Sequence, residues 1–206
     1  MDFDKSKGYV FFIRHGQTDW NLKKLMQGRD QIPLNETGIA QANSASLSIK
    51  EACLYSGIKI SGVYSSPLSR AEVTGKAISN ALACPFYTDD RLLERDFGEF
   101  SGKPYTFDCP AILRDVPEIK GLEPVKSAID RINSFVLDIV KPGKIIIAVT
   151  HGSITRIFAE AQKRSPRVDN FDTVMSNCHM VLYSFDGDEI IMEGYNIAPE
   201  NLNKFI

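Results

Sequence analysis

Two apolar runs constrain this chain more than any other feature. Tyr9-Val10-Phe11-Phe12-Ile13 and Ile145-Ile146-Ile147-Ala148-Val149-Thr150 both read as buried strands. Both end in the same way. The first leads into Arg14-His15-Gly16-Gln17-Thr18, the second into His151-Gly152-Ser153. The chain holds 3 histidines, and two of them stand directly after such a run and directly before a glycine. Ligands of open α/β sheets bind beyond the carboxyl ends of the strands. If the two strands are parallel neighbours, His15 and His151 face one crevice.

The rest of the chain alternates strand and helix signals. A polar segment, from Asp19-Trp20-Asn21 through Gln27-Gly28-Arg29-Asp30 to Pro33-Leu34, is long enough to fold over the crevice. Thr37 is expected to cap a helix that runs to about Tyr55 and stops at Gly57. Ile60 to Tyr64 reads as a strand. Ser65-Ser66-Pro67 then opens a helix from Pro67 to about Leu82, with Arg70 in its first turn. Pro85 to Thr88 reads as a short strand and residues 92–102 as a loop. Residues 103–121 hold Pro104, Pro110 and Pro117 without periodicity, so an irregular cap with one short helix is expected there. Glu123 to Val140 has helical spacing of Val125, Ile129, Ile132, Val136 and Val140, and Pro142-Gly143 should end it. A helix from about Ile154 to Gln162 should follow the central strand. Met180 to Phe185 and Glu189 to Tyr195 should form a hairpin around Asp186-Gly187-Asp188. The alternation predicts a three-layer α/β/α sandwich with a mainly parallel, mixed central sheet. One domain spanning 1–206, with a cap insertion at about 103–121, is the expected organisation.

Composition narrows the function classes. The net charge of −2 argues against a broad nucleic-acid surface. No apolar run reaches about 18 residues, so no transmembrane helix is expected. Met1-Asp2-Phe3-Asp4-Lys5 lacks the apolar core of a signal peptide. Cys53, Cys84, Cys109 and Cys178 are scattered and form no CxxC pair, which suits reduced thiols in the cytoplasm.

Arg14, His15, Arg70 and His151 each fall just after a predicted strand. Two guanidiniums and two imidazoles suit a compact dianion, because the planar arginine fork binds phosphate oxygens bidentately. Gly16 and Gly152 allow close backbone approach, and helix N-termini offer N–H groups to an anion. A neutral imidazole can attack phosphorus, and neighbouring cations favour the neutral form. A carboxylic acid must protonate the leaving alkoxide, and Glu94, entering a glycine-rich loop, is the best placed.

These residues lie in a wider pattern. Arg14-His15-Gly16-Gln17-Thr18-Asp19-Trp20-Asn21 resembles the Arg-His-Gly signature of the histidine phosphatase superfamily, in its phosphoglycerate-mutase-like branch. The resemblance continues through Gln27-Gly28-Arg29-Asp30, Pro33-Leu34-Asn35 and Thr37-Gly38. It returns at Tyr64-Ser65-Ser66-Pro67-Leu68-Ser69-Arg70-Ala71, at Leu93-Glu94 with Phe97-Gly98 and Gly102, and at Thr150-His151-Gly152. It implies a nucleophile at His15 that becomes phosphohistidine. Arg14, Arg70 and His151 would hold the phosphoryl oxygens, and Glu94 would act as acid, then base. Thr18, Asn21, Gln27 and Gly28 would line the substrate and phosphate pocket, and Gly152 and Ser153 would offer backbone donors. No metal is implied.

The same resemblance covers two activities, a metal-independent phosphomonoester phosphatase and a cofactor-dependent phosphoglycerate mutase. Such mutases carry a longer insert between the acid and the second histidine, with paired arginines for the carboxylate. Here the interval is residues 95–150, and Arg114 is the cap's only arginine, which favours the phosphatase. A bisphosphoglycerate primer would be needed only by a mutase; no other cofactor is expected. A degenerate phospho-ligand binding module is a third reading, disfavoured by the presence of both His15 and Glu94. A two-histidine phosphodiesterase fits His151-Gly152-Ser153 but not His15-Gly16-Gln17. The expected partner is a small phosphorylated metabolite, with neither nucleic acid nor membrane; a homodimer through the last strand region stays open. The chain departs from the family pattern at Gly121-Leu122-Glu123-Pro124, commonly Gly-Gly-Glu-Ser, and at Phe100, frequently tryptophan. Both changes bear on the substrate side. His179 and Trp20 read as structural.

Overall fold

A computed structural model describes residues 3–106, 109–166, 168, 175–187 and 189–206. Its centre is a seven-stranded sheet in the order β3-β2-β4-β1-β6-β7-β5. The strands are β1 (Gly8–Arg14), β2 (Gly62–Ser65), β3 (Phe86–Thr88), β4 (Ile145–Thr150), β5 (Lys163–Arg164), β6 (Met180–Phe185) and β7 (Ile190–Ile197). β1, β2, β3 and β4 run parallel, while β6 is antiparallel to both β1 and β7. The two histidine-bearing strands are therefore parallel neighbours, and their register sets Arg14 opposite Thr150.

Helices cover both faces, and the two-residue period of β1 shows how. Val10 and Phe12 point into a cluster with Ala128, Ile132, Phe135 and Val136 of α4 (Val125–Ile139) and Ile154 and Phe158 of α5 (Gly152–Ala161). Tyr9, Phe11 and Ile13 point the other way. They meet Ile49, Ala52 and Cys53 of α2 (Glu36–Ser56) and Ala71 and Ile78 of α3 (Ser69–Leu82). A strand with large apolar groups on both faces is stable only between two helical layers, because each face must leave water. The fold is thus the expected three-layer sandwich with a mixed sheet. A short α1 (Asp19–Leu22) stands beyond β1. A third, smaller apolar cluster of Met26, Phe97, Ala111 and Ile112 lies under the cap. No helix among the described residues is long and apolar enough to cross a membrane.

Several expected boundaries shift, each for a local reason. Asn35, not Thr37, caps α2: its side chain accepts from the Gly38 N–H at 2.8 Å. α3 starts at Ser69, not Pro67, because Leu68 remains extended; the Ser66 hydroxyl accepts from the Leu68 N–H and meets His151 Nε2. α4 starts at Val125 and ends at Ile139, inside the expected span. α5 starts at Gly152, directly after His151, so the histidine itself is the N-cap residue. In the cap, the short helix is a single 3-10 turn over Pro110–Ile112, and residues 107–108 lie outside the described residues. The hairpin is present, with Asp188 of its turn outside the description.

Candidate active site

The Arg-His-Gly turn is held from several sides. The His15 N–H donates to Thr150 O at 3.0 Å, which extends the β1–β4 pairing by one residue and brings the histidines together. Their ring centroids lie 5.2 Å apart. The Gly16 N–H donates to Thr74 Oγ1 of α3 at 3.1 Å. On its other side α2 arrives so closely that a Cβ on Gly16 would sit 2.5 Å from Gly38 O, and a Cβ on Gly38 would overlap Gln17 O. Glycine is needed at both positions for space. From the turn before β6, Asn177 Nδ2 donates to His15 O at 2.8 Å.

His15 is 3% exposed, and its Nδ1 lies 2.6 Å from Gly16 O. A carbonyl can only accept, so Nδ1 carries the proton and the lone pair is on Nε2. Burial first, then the guanidiniums of Arg70 and Arg14, pushes His15 well below the ordinary imidazole range. The ring is therefore neutral at neutral pH. His151 is fully buried and shifted the same way, by burial first, then by Arg70 and His15. Its Nε2 lies 2.9 Å from Ser66 Oγ, while Nδ1 is buried with no hydrogen-bond partner among the described residues.

The two arginines are anchored by backbone carbonyls. Arg70 gives Nη1 to Asp30 O and Nη2 to Gly28 O, both at 2.7 Å. Arg14 gives Nη1 to Met175 O at 2.5 Å. Among the described residues, the Nε atom of each is buried and has no hydrogen-bond partner. A buried donor left unpaired costs about 1–3 kcal/mol, more when charged, and such atoms call for an explanation. Burial lowers both arginines, Arg70 to about 10, so both stay protonated at neutral pH. Gly152 is placed so that a Cβ there would come within 3.3 Å of Arg14 Nε. Its missing side chain leaves that edge of the guanidinium open.

Glu94 reaches the same cavity from the loop after β3. Its Oε1 accepts from the N–H groups of Arg95 at 2.9 Å and Ile154 at 3.1 Å, and its Oε2 from Ser153 at 3.2 Å. These donors favour the carboxylate, as does Arg70, but burial outweighs them and raises the group above the ordinary carboxyl range.

Residues 10–198 match the profile of the histidine phosphatase superfamily (branch 1). This chain belongs to that superfamily. Over 200 residues it is 28% identical to the uncharacterized phosphatase PhoE of Bacillus subtilis, covering 96% of this chain and 98% of that protein. It is 40% identical over 98 residues to the 2,3-bisphosphoglycerate-dependent phosphoglycerate mutase of Rhizobium etli. That match spans 46% of this chain and only 44% of the mutase. Among solved structures, a phosphoglycerate mutase from Bacillus anthracis superposes with TM-score 0.78, 18% identity and 97% coverage of both chains. A mycobacterial glucosyl-3-phosphoglycerate phosphatase superposes with TM-score 0.73, 20% identity, 93% of this chain and 100% of that one. Identities this low speak for the shared histidine phosphatase fold.

Within this superfamily frame, the residues singled out from sequence fall into two groups. Arg14, His15, Asn21, Gln27, Arg70, Glu94, Gly152 and Ser153 line one cavity, and the fully buried His151 ring packs edge-on to His15. Thr18 and Gly28 do not line it. Thr18 is fully buried and caps α1, where its Oγ1 accepts from the Asn21 N–H at 3.1 Å. Gly28 serves Arg70 through its carbonyl. The Ser153 N–H, expected as a phosphate donor, is taken by Glu94. His179 contacts Asn196 rather than the cavity. Sequence reading missed Arg156, Tyr105, Ile112 and Met175, which also line the cavity. Arg156 had a usable signal: it follows His151 by five positions on a helix whose first turn faces the site.

Proposed function

We propose that this chain is a phosphomonoester phosphatase that works through a phosphohistidine on His15. One observation carries the reading. Among the described residues, Arg14 Nε, Arg70 Nε and His151 Nδ1 are buried without hydrogen-bond partners around a neutral imidazole. A tetrahedral phosphoryl dianion supplies acceptors for all three.

The steps follow from the geometry. His15 Nε2 attacks phosphorus with its lone pair, and the P–O ester bond breaks toward the leaving oxygen. Glu94 gives that oxygen a proton. An arriving dianion disfavours the carboxylate further, so binding itself promotes the protonated acid. Water then attacks the phosphohistidine, Glu94 takes its proton, and the P–N electron pair returns to Nε2. Arg14, Arg70 and His151 hold the equatorial oxygens throughout; positioning and charge stabilisation dominate such transfers. This route asks for no metal or cofactor.

Phosphoglycerate mutase is the second reading, kept by the 40% identity of the matched stretch. Against it, Arg114 is exposed and is not among the cavity-lining residues. The outer cavity is instead apolar, with Leu25, Met26, Phe97, Ile112 and Met175, beside Tyr105 and Arg156. A partly apolar phosphate ester is the substrate class that fits this lining.

The test is metal-free phosphate release from an aryl phosphate and from 3-phosphoglycerate, for wild type and His15→Ala. Release by wild type and a drop of about 10⁴-fold or more in the variant is expected. Isomerisation of phosphoglycerate only after addition of a bisphosphoglycerate primer would replace this reading with the mutase.

A further inference from the structure

Glu123 keeps the family pattern between two departures, Leu122 and Pro124, and nothing above gives it a role. It is the hub of a half-buried ionic network that grips the backbone on both sides of Glu94. Its Oε1 accepts from Arg131 Nε at 2.9 Å and pairs with Arg29 Nη2 at 3.1 Å. Its Oε2 accepts from Arg131 Nη2 at 3.1 Å and from the Asp96 N–H at 3.3 Å. The same two arginines then reach the acid's own carbonyl: Glu94 O accepts from Arg29 Nε at 3.3 Å and Arg131 Nη2 at 3.2 Å. Arg131 Nη1 also holds Arg91 O at 2.6 Å. The main chain of Glu123 completes the grip. Its N–H donates to Asp96 O at 2.8 Å, and its carbonyl accepts from Arg95 Nε at 2.7 Å. Arg95 is fully buried and gives Nη1 to Ala111 O and Arg114 O of the cap, at 2.7 and 2.9 Å.

We infer that Glu123 is a positioning residue for proton transfer: it fixes the loop that carries Glu94 and couples that loop to the cap. This rests on the reading of Glu94 as the acid. The geometry makes the case. The Glu94 side chain is tied at its tip to the start of α5, so the placement of its carboxyl depends on how firmly its backbone is held at the other end. That end has no strand or helix ladder to hold it, and the Glu123 network takes the ladder's place. Burial alone would raise the Glu123 carboxyl, but hydrogen bonds and charge from Arg131, with Arg29, outweigh it and keep the group below its ordinary range. It is therefore ionised wherever the enzyme would work.

The test uses leaving groups of different basicity, since an alkyl phosphate needs the acid and 4-nitrophenyl phosphate scarcely does. Glu123→Gln is expected to lower kcat on an alkyl phosphate by about tenfold or more. On 4-nitrophenyl phosphate the fall should stay within about threefold, and inhibition by inorganic phosphate should not move. In a Glu94→Gln background Glu123→Gln should add no further selective loss, because its effect passes through Glu94. Glu123→Asp should restore part of the alkyl activity. Arg29→Met, at a side chain 37% exposed, should give the same pattern more weakly and keeps the test open if Glu123→Gln does not fold. An equal fall on both esters, an additive loss in the double variant, or no loss at all would overturn the inference. If Glu94→Gln itself shows no dependence on the leaving group, the acid assignment falls, and this inference with it. A selective Glu94→Gln beside a uniform Glu123→Gln removes the inference alone.

Discussion

The floor and the roof of the cavity are built by different means. The floor is Arg14, His15, Arg70 and His151. Each sits at the end of a central parallel strand or in the first turn of the helix beyond it, and backbone groups fix the two arginines and His15. The roof is Leu25, Met26, Tyr105 and Ile112, carried by loops and one 3-10 turn. Its own apolar cluster is small, and Arg95 joins it to the body, pairing with Asp115 Oδ1 and donating Nε to the Glu123 carbonyl. The difference teaches where change is tolerated. Moving a floor residue means shifting a strand register, which flips side chains across the sheet. Altering a roof residue costs a few contacts in a thin layer. On the proposed reading, phosphoryl chemistry would be bound to the fold, and the choice of leaving group would not.

Three experiments would break or sharpen this contrast. The largest effect is expected on the floor. Arg70→Lys keeps the charge but cannot reproduce the fork that spans Gly28 O, Asp30 O and a phosphoryl oxygen, so kcat/KM should fall by about 10²-fold for every ester alike. A loss that depended on the ester would mean that Arg70 reads the leaving group and that the floor is not generic.

An intermediate effect is expected from pH. His15 and His151 are lowered from 6.5 by burial and cationic neighbours. A lowered imidazole stays neutral as the pH falls past 6.5, so activity that needs neutral His15 should persist there, with its acid limb below that value. NMR titration of the imidazoles reads this directly. Arg70→Met removes a cation and should move the His15 midpoint upward, though not fully, because burial is the larger cause. A wild-type midpoint at or above 6.5 would remove the electrostatic account of the floor.

The smallest effect belongs to the roof. Ile112→Ala should raise KM for apolar esters by about 3–10-fold and leave inhibition by inorganic phosphate unchanged. If phosphate affinity fell in parallel, roof and floor would be one mechanical unit.

The contrast also explains what was legible in the primary structure. The floor was readable because it obeys local rules. Buried strands announce themselves as apolar runs, and whatever follows them lies at the sheet's carboxyl edge, so His15, His151 and Arg70 could be placed before any coordinates. Thr18 and Gly28 stand apart from the cavity lining for one reason: a residue beside a signature can serve the signature rather than the ligand. Thr18 caps the helix that carries Asn21, and Gly28 lends its carbonyl to Arg70. Ser153 failed differently, since the N–H expected to meet phosphate meets Glu94. Met175 and Ile112 left no trace, because they reach the cavity from distant segments without periodicity.

The order and type of the elements, the burial of the central strands and the set of groups able to meet a phosphoryl dianion were determined by the sequence alone. Each depends on short-range chemistry: hydrophobic period, turn residues and side-chain charge. Only the tertiary structure decided which backbone groups the arginines spend their donors on, which histidine nitrogen keeps its lone pair, and that Glu123 grips the chain around Glu94. Those outcomes depend on distances between residues far apart in the chain, and burial sets their sign, by weighing the loss of water against the partners that packing supplies.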